Sequence, residues 1–148
     1  NQSQPYSCVS ACSVVLLAHE GINITEAEIM KIAGLAGSNP IPYDRIAPVM
    51  NKILGRDSEI YFGATATDSR RLYLHVQSEG VIAANLDGHS VIVDSIDSET
   101  RTVTILDPWG NGPGSGVAFE TILSMDDFES LFKKGRYHVL LSFDDRTE

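Results

Sequence analysis

The sequence predicts an α+β fold in which N-terminal helices pack on an antiparallel β-sheet. Three observations lead there. Apolar residues recur at helical spacing from Cys8 to Leu54, with cap residues between the segments. After Gly55, short runs rich in Val, Ile and Thr alternate with polar breaks. The chain has 148 residues, 43% hydrophobic and 21% charged, which suits one domain with one core. No repeat, low-complexity tract or linker divides it, so residues 1–148 are read as a single domain.

The first helix spans Cys8 to Glu20, with Cys8, Cys12, Val15, Leu16 and His19 at helical spacing and Gly21 as its stop. Thr25 caps the second; Glu28, three residues on, completes a capping box, and Ile24 with Ile29 forms a hydrophobic staple. Gly34 and Gly37 close it, and a loop follows over 38–42. Tyr43 to Leu54 forms a third helix, with a break or kink expected at Pro48. A short strand is predicted at Ile60-Tyr61-Phe62, and a helix from Asp68 or Ser69 to Ser78, before Gly80. Strands follow at Val81–Leu86, Ser90–Ser95, Thr102–Leu106 and Tyr137–Phe143. A Gly-rich loop, Gly110 to Gly116, precedes a short helix, Met125 to Lys134, capped by Ser124.

The net charge of −9 argues against a partner bound through its phosphate backbone, so no nucleic acid is expected. No apolar run reaches membrane-spanning length, so this domain is expected to make no membrane contact; none resembles a secretory signal. The first residue is Asn rather than Met, which suggests a piece of a longer chain. The two cysteines lie four apart on one helix, a poor geometry for a disulfide, so free thiols and a reducing compartment are expected.

Cys8 is the candidate nucleophile. It opens a helix, whose N-terminal dipole favours the thiolate. A general base and a group to orient it are then needed. A hairpin centred on Ser98 supplies both: Val93 faces Val103, Val91 faces Ile105 and His89 faces Asp107. Directly opposed residues have Cβ atoms about 4.5–5.5 Å apart, suitable for an imidazole–carboxylate bond. The odd positions Val91, Val93, Val103 and Ile105 form an apolar face, so His89 and Asp107 are expected on the side that the Cys8 helix covers. Ile92 and Leu106 are exceptions on the otherwise polar even face.

Cys12, one turn inside the helix, reads as a core residue beneath the site. Gln2 is the candidate for holding an oxyanion, with Gln4 as its rival. Val9, Gly88 and Trp109 are expected to touch substrate. A metal is not expected, because eleven residues of helix between Cys8 and His19 rise about 16 Å, too far to share one ion. No cofactor is expected either. His19, His75 and His138 read as structural.

Taken in order, these residues resemble papain-like cysteine peptidases, specifically the bacterial branch with the double-glycine leader peptidases of bacteriocin exporters. Gln2, Cys8 and Cys12 reproduce its Gln–Cys–Cys spacing. A helix ending at Gly21, a strand opening on His89, Asp107-Pro108 closing the next, and Asp126-Asp127-Phe128 in a late amphipathic helix continue the pattern over nearly the whole chain. The resemblance implies a papain-like fold and a Cys8–His89–Asp107 triad cleaving a protein or peptide. Val9 stands where the family usually has Gly, and Ser7 where exporter peptidases usually carry Asp. Asp107-Pro108-Trp109-Gly110 and the Gly-rich stretch are also similar to papain-fold domains of bacterial polymorphic toxins. The expected role is therefore a delivered effector acting in a target cell's cytoplasm, with a cognate immunity protein as partner. The alternatives are an exporter leader peptidase, which predicts a membrane region beyond Glu148, and a papain-fold glutamine deamidase or cross-linking enzyme. A non-enzymatic binding domain on the same scaffold is a further alternative.

Overall fold

The computed structural model describes residues 8–34, 42–107 and 119–144. Three helices come first: α1 (Cys8–His19), α2 (Glu26–Ala33) and α3 (Tyr43–Leu54). Then follow β1 (Ile60–Ala66), α4 (Ser69–Glu79), β2 (Ile82–Leu86), β3 (His89–Asp97), β4 (Thr102–Asp107), β5 (Phe119–Ser124), α5 (Met125–Lys134) and β6 (His138–Asp144). The six strands form one sheet in the order β1-β6-β2-β3-β4-β5, and every pairing is antiparallel. This is the predicted α+β arrangement, with one strand, β5, that the sequence reading passed over.

Local chemistry accounts for the element ends. Thr25 and Glu28 form the capping box in both directions, and Gly34 ends α2 in the left-handed conformation. Asp68 caps α4 and Ser124 caps α5 through backbone N–H groups in the first turn. Helix α3 runs through Pro48 without the expected break. The ring removes one hydrogen bond, that from position 48 to Asp44, while Ile46, Ala47 and Met50 still bury the helix's apolar face.

Two cores sandwich the sheet. On one face Cys12, Leu16 and Leu17 of α1, Ile29 of α2 and Ile46 and Met50 of α3 pack against Phe62, Ala83, Ile92 and Leu140. On the other face Leu72 and Val76 of α4 and Phe128 and Phe132 of α5 pack against Ile82, Ala84, Val91, Val93, Val103 and Ile105. The strands alternate between these cores, as the two-residue side-chain period requires: Ala83 and Ile92 face one, their neighbours Ile82, Ala84, Val91 and Val93 the other. Helix α1 is itself buried on most sides, with Ser10 and Ser13 as inaccessible as Cys12; Ser13 Oγ donates to the Val9 carbonyl within the helix. No helix among the described residues is long and apolar enough to cross a membrane.

This layering corrects one expectation. The Cys8 helix does not pack on the face of Val91, Val93, Val103 and Ile105, to which parity also assigns His89 and Asp107; α4 and α5 do. Helix α1 packs on the opposite face, against Ile92 and Ser90. Ile92 and Leu106 are apolar because that second face is also covered.

Candidate active site

His89 and Asp107 meet at one end of the sheet. His89 Nε2 lies 2.7 Å from Asp107 Oδ1, with the two side chains 38% and 30% exposed. The pair is therefore open to solvent yet held in place. His89 begins β3 directly after a two-residue turn, Asp87-Gly88, with φ of 54° and 86°. Both turn residues at positive φ make the type I′ hairpin whose twist matches that of its strands. Asn85 secures the turn by accepting from the Gly88 N–H at 2.7 Å. Asp107 closes β4 and pairs with Phe119 across to β5.

The pair forms, but not by the expected register. Near the β3–β4 turn Ile96 faces Val103, and Asp97 faces Thr102. A bulge between Val93 and Ser95 then shifts the pairing by one, so that Val93 faces Ile105 and Ile92 faces Leu106. Beyond the bulge the strands are displaced by two residues from the predicted pairing. An even displacement keeps every side chain on its face. His89 and Asp107 thus become diagonal neighbours on one face, still within reach of two polar side chains.

Cys8 is the first residue of α1, whose first turn contains no acidic side chain to oppose the positive end of the helix dipole. One turn on, a rise of about 6 Å, Cys12 is fully buried and receives a hydrogen bond from Ser90 Oγ at 3.4 Å. Ser90 is His89's neighbour in β3, so α1 is joined to the strand that carries the histidine. Ser90 Oγ also lies 2.7 Å from the Tyr43 hydroxyl, bringing α3 into the same buried group. Val9 packs in the core with Cys12 and Leu16, 8% exposed. Gln2, Gln4, Ser7 and Trp109 lie outside the described residues. So does the Gly-rich loop Gly110–Gly116.

The other histidines sit apart from this pair. His19 ends α1 beside Gly80, His75 stacks edge-on against Phe143, and His138 is exposed opposite Ala66. A cleft of about 530 Å³ lies between β1 and α4, lined by Thr65, Arg71, His75 and Phe143. It includes neither His89 nor Asp107. Among the described residues no three His, Cys, Asp or Glu side chains gather as a metal site would require. Sequence reasoning missed the Tyr43–Ser90–Cys12 group, and a buried serine carries no sequence signal of its own.

No protein-family model matches the chain, and no curated protein matches it. Solved structures do. The peptidase domain of Streptococcus ComA, a bi-functional ABC transporter involved in quorum sensing, superposes with a TM-score of 0.69 at 15% identity, covering 97% of this chain and 96% of that domain. The chain has the fold of a C39-like peptidase domain. A double-glycine motif protease from an AMS/PCAT transporter, solved with its leader peptide, gives 0.67 at 14% identity over 97% of this chain and 88% of that one. The N-terminal peptidase C39 like domain of a toxin secretion ATP-binding protein from Vibrio parahaemolyticus gives 0.60 at 12% identity, over 94% and 98%. These are the peptidase domains that the sequence resemblance named. They also correct the expected address: the fold neighbours are domains of transporters, not effectors delivered into a target cell. The immunity partner stood on the effector reading alone.

Proposed function

We propose that this chain is a cysteine peptidase of the double-glycine leader peptidase type, acting on a leader peptide rather than as a delivered toxin. The observation that carries it is the 2.7 Å bond between His89 Nε2 and Asp107 Oδ1 on a C39-like fold whose first helix opens with Cys8. Asp107 holds Nε2, so exchange of a proton with a thiol or a leaving amine falls to Nδ1 of the same ring.

In this mechanism Cys8 is the thiolate, favoured by the N-terminus of α1 and by His89 in its protonated form. The sulfur attacks the carbonyl carbon of the scissile peptide bond, and the carbonyl oxygen takes the negative charge. The Cys8 backbone N–H and the Gln2 side-chain amide hold that oxyanion, an interaction of the kind worth about 3–4 kcal/mol. Collapse of the tetrahedral species breaks the C–N bond as His89 gives its proton to the departing nitrogen. A thioester remains on Cys8. Water, deprotonated by His89, hydrolyses it and regenerates the thiol. Asp107 keeps the ring in the required tautomer and stabilises the imidazolium. Gly88 and Trp109 border the substrate strand.

The test is incubation of the purified chain with synthetic leader peptides containing Gly-Gly, read by mass spectrometry, beside Cys8→Ala and Cys12→Ala. Two fragments, with the cut after Gly-Gly, are expected, with cleavage abolished in Cys8→Ala and only reduced in Cys12→Ala. A mass gain of about one dalton on a glutamine, without fragments, would assign deamidation to the same triad. Cleavage that survives Cys8→Ala would sink the mechanism.

A further inference from the structure

We propose that Tyr43, Ser90 and Cys12 are a positioning network that sets the distance between the nucleophile's helix and the histidine's strand. This rests on Cys8 and His89 acting together as proposed above. The Ser90 hydroxyl has one hydrogen to give and two lone pairs to offer. It donates that hydrogen to Cys12 Sγ at 3.4 Å, so the 2.7 Å contact with Tyr43 is one in which the Tyr43 hydroxyl donates to Ser90 Oγ. The direction runs from α3 through β3 to α1.

The three side chains are almost inaccessible, at 7%, 3% and 0% exposure for Tyr43, Ser90 and Cys12. They sit among apolar neighbours that include Leu16, Ile46 and Ile92. Apolar packing is non-directional and tolerates sliding of a helix along a sheet. A hydrogen-bonded chain does not, because each bond loses most of its strength with small changes in distance and angle. The Ser90–Cys12 bond is a polar link among the apolar contacts between α1 and β3, and both of its ends lie next to the chemistry. Cys12 is one turn from Cys8, and Ser90 adjoins His89 along the backbone. A shift of α1 along β3 moves Cys8 relative to His89 and strains the Ser90–Cys12 bond, while the Tyr43 bond holds Ser90 Oγ against α3. Placement of reacting groups is sensitive on this scale, since about 1 Å of misplacement can reduce a rate about 100-fold.

The experiment compares wild type with Ser90→Ala, Tyr43→Phe, Ser90→Thr and the double variant Ser90→Ala/Tyr43→Phe. Two readouts are taken: kcat and KM on a Gly-Gly leader peptide per titrated active site, and the pH profile of Cys8 alkylation by iodoacetamide, located by mass spectrometry. Ser90→Ala and Tyr43→Phe are expected to lower kcat about tenfold with KM within about twofold. They should also move Cys8 alkylation to higher pH, as the thiolate loses its imidazolium neighbour. Ser90→Thr, which keeps the hydroxyl, should retain the wild-type profile. The double variant removes both hydroxyls of the pair, and its kcat should stay as low as in the single variants. Unchanged kcat and an unchanged alkylation profile in Ser90→Ala would overturn the network. So would a double variant that recovers kcat, since the single variants' loss would then come from a mismatched pair and not from the missing link. The alkylation readout needs no substrate: cleavage surviving Cys8→Ala refutes the peptidase, whereas an unmoved profile refutes only the network.

Discussion

Replacing Asp107 with Ala removes the acceptor for His89 Nε2 and leaves both cores intact. The bond is 2.7 Å long and is charge-assisted through the Asp107 carboxylate. Such bonds contribute about 1.5–3 kcal/mol. With the two side chains 38% and 30% exposed, water screens the charges, so the lower half of that range applies. At about 1.4 kcal/mol per factor of ten, kcat/KM should fall about 10- to 40-fold. The loss should appear in kcat, because Asp107 acts on the imidazolium that gives its proton to the departing nitrogen and not on the bound peptide. Asp107→Asn keeps an acceptor without its charge and should fall between the two. Steady-state cleavage of a Gly-Gly peptide, normalised to titrated Cys8, measures this, with thermal unfolding as the control. Full kcat/KM in Asp107→Ala beside an inactive Cys8→Ala would remove Asp107 from the mechanism. A large fall in melting temperature with kcat preserved would make the pair structural.

Gly135→Ala should destabilise the fold by about 1–3 kcal/mol or more in urea unfolding, because the added Cβ would lie 2.0 Å from the Asn85 carbonyl oxygen, a fixed backbone atom of β2. Asn51 accepts from the Phe62 N–H at 2.6 Å and donates to the Phe62 carbonyl at 2.9 Å, so Asn51→Ala strips two hydrogen bonds from edge strand β1. About 1–3 kcal/mol should be lost in the same assay, with Asn51→Asp recovering only the acceptor half. Backbone N–H groups of Thr100 and Glu99 hold the Asp97 carboxyl below the usual carboxylate range. A depressed folded-state pKa stabilises at pH above the unfolded value and ceases to do so as pH falls through the folded one. Asp97→Asn should therefore be less stable than wild type at neutral pH and equal to it in strong acid, and a constant difference across that range would contradict the assignment.

Much of the fold was legible because its signals are local. A Thr–Glu pair three residues apart, Asp and Ser caps, and Gly at helix ends act within one turn of backbone, and the elements begin and end where those residues predict. Strand β5 was missed although Phe119, Thr121 and Leu123 alternate with Glu120 and Ile122; half-exposed edge strands carry weak patterns, and Ile122 is 64% exposed. The β3–β4 register was three residues off beside the turn and two beyond the bulge, because it was centred on the turn's polar residues. The bulge between Val93 and Ser95 depends on how two strands fit together, which neither strand states alone.

The sequence by itself determined the order of the elements, the pairing of a strand that begins with His89 against one that ends with Asp107, and the position of Cys8 at a helix start. These follow from periodicity, caps and parity, and parity survived an even slip in register. Only the tertiary structure decided which face of the sheet α1 covers. Both faces are apolar, and a strand's alternation says that its sides differ without saying which layer lies on either. That choice brings Ser90 rather than His89 against Cys12 and builds the buried Tyr43–Ser90–Cys12 chain. Its members come from three separate elements, 31 residues apart between Cys12 and Tyr43 and 47 between Tyr43 and Ser90, so only packing could bring them together.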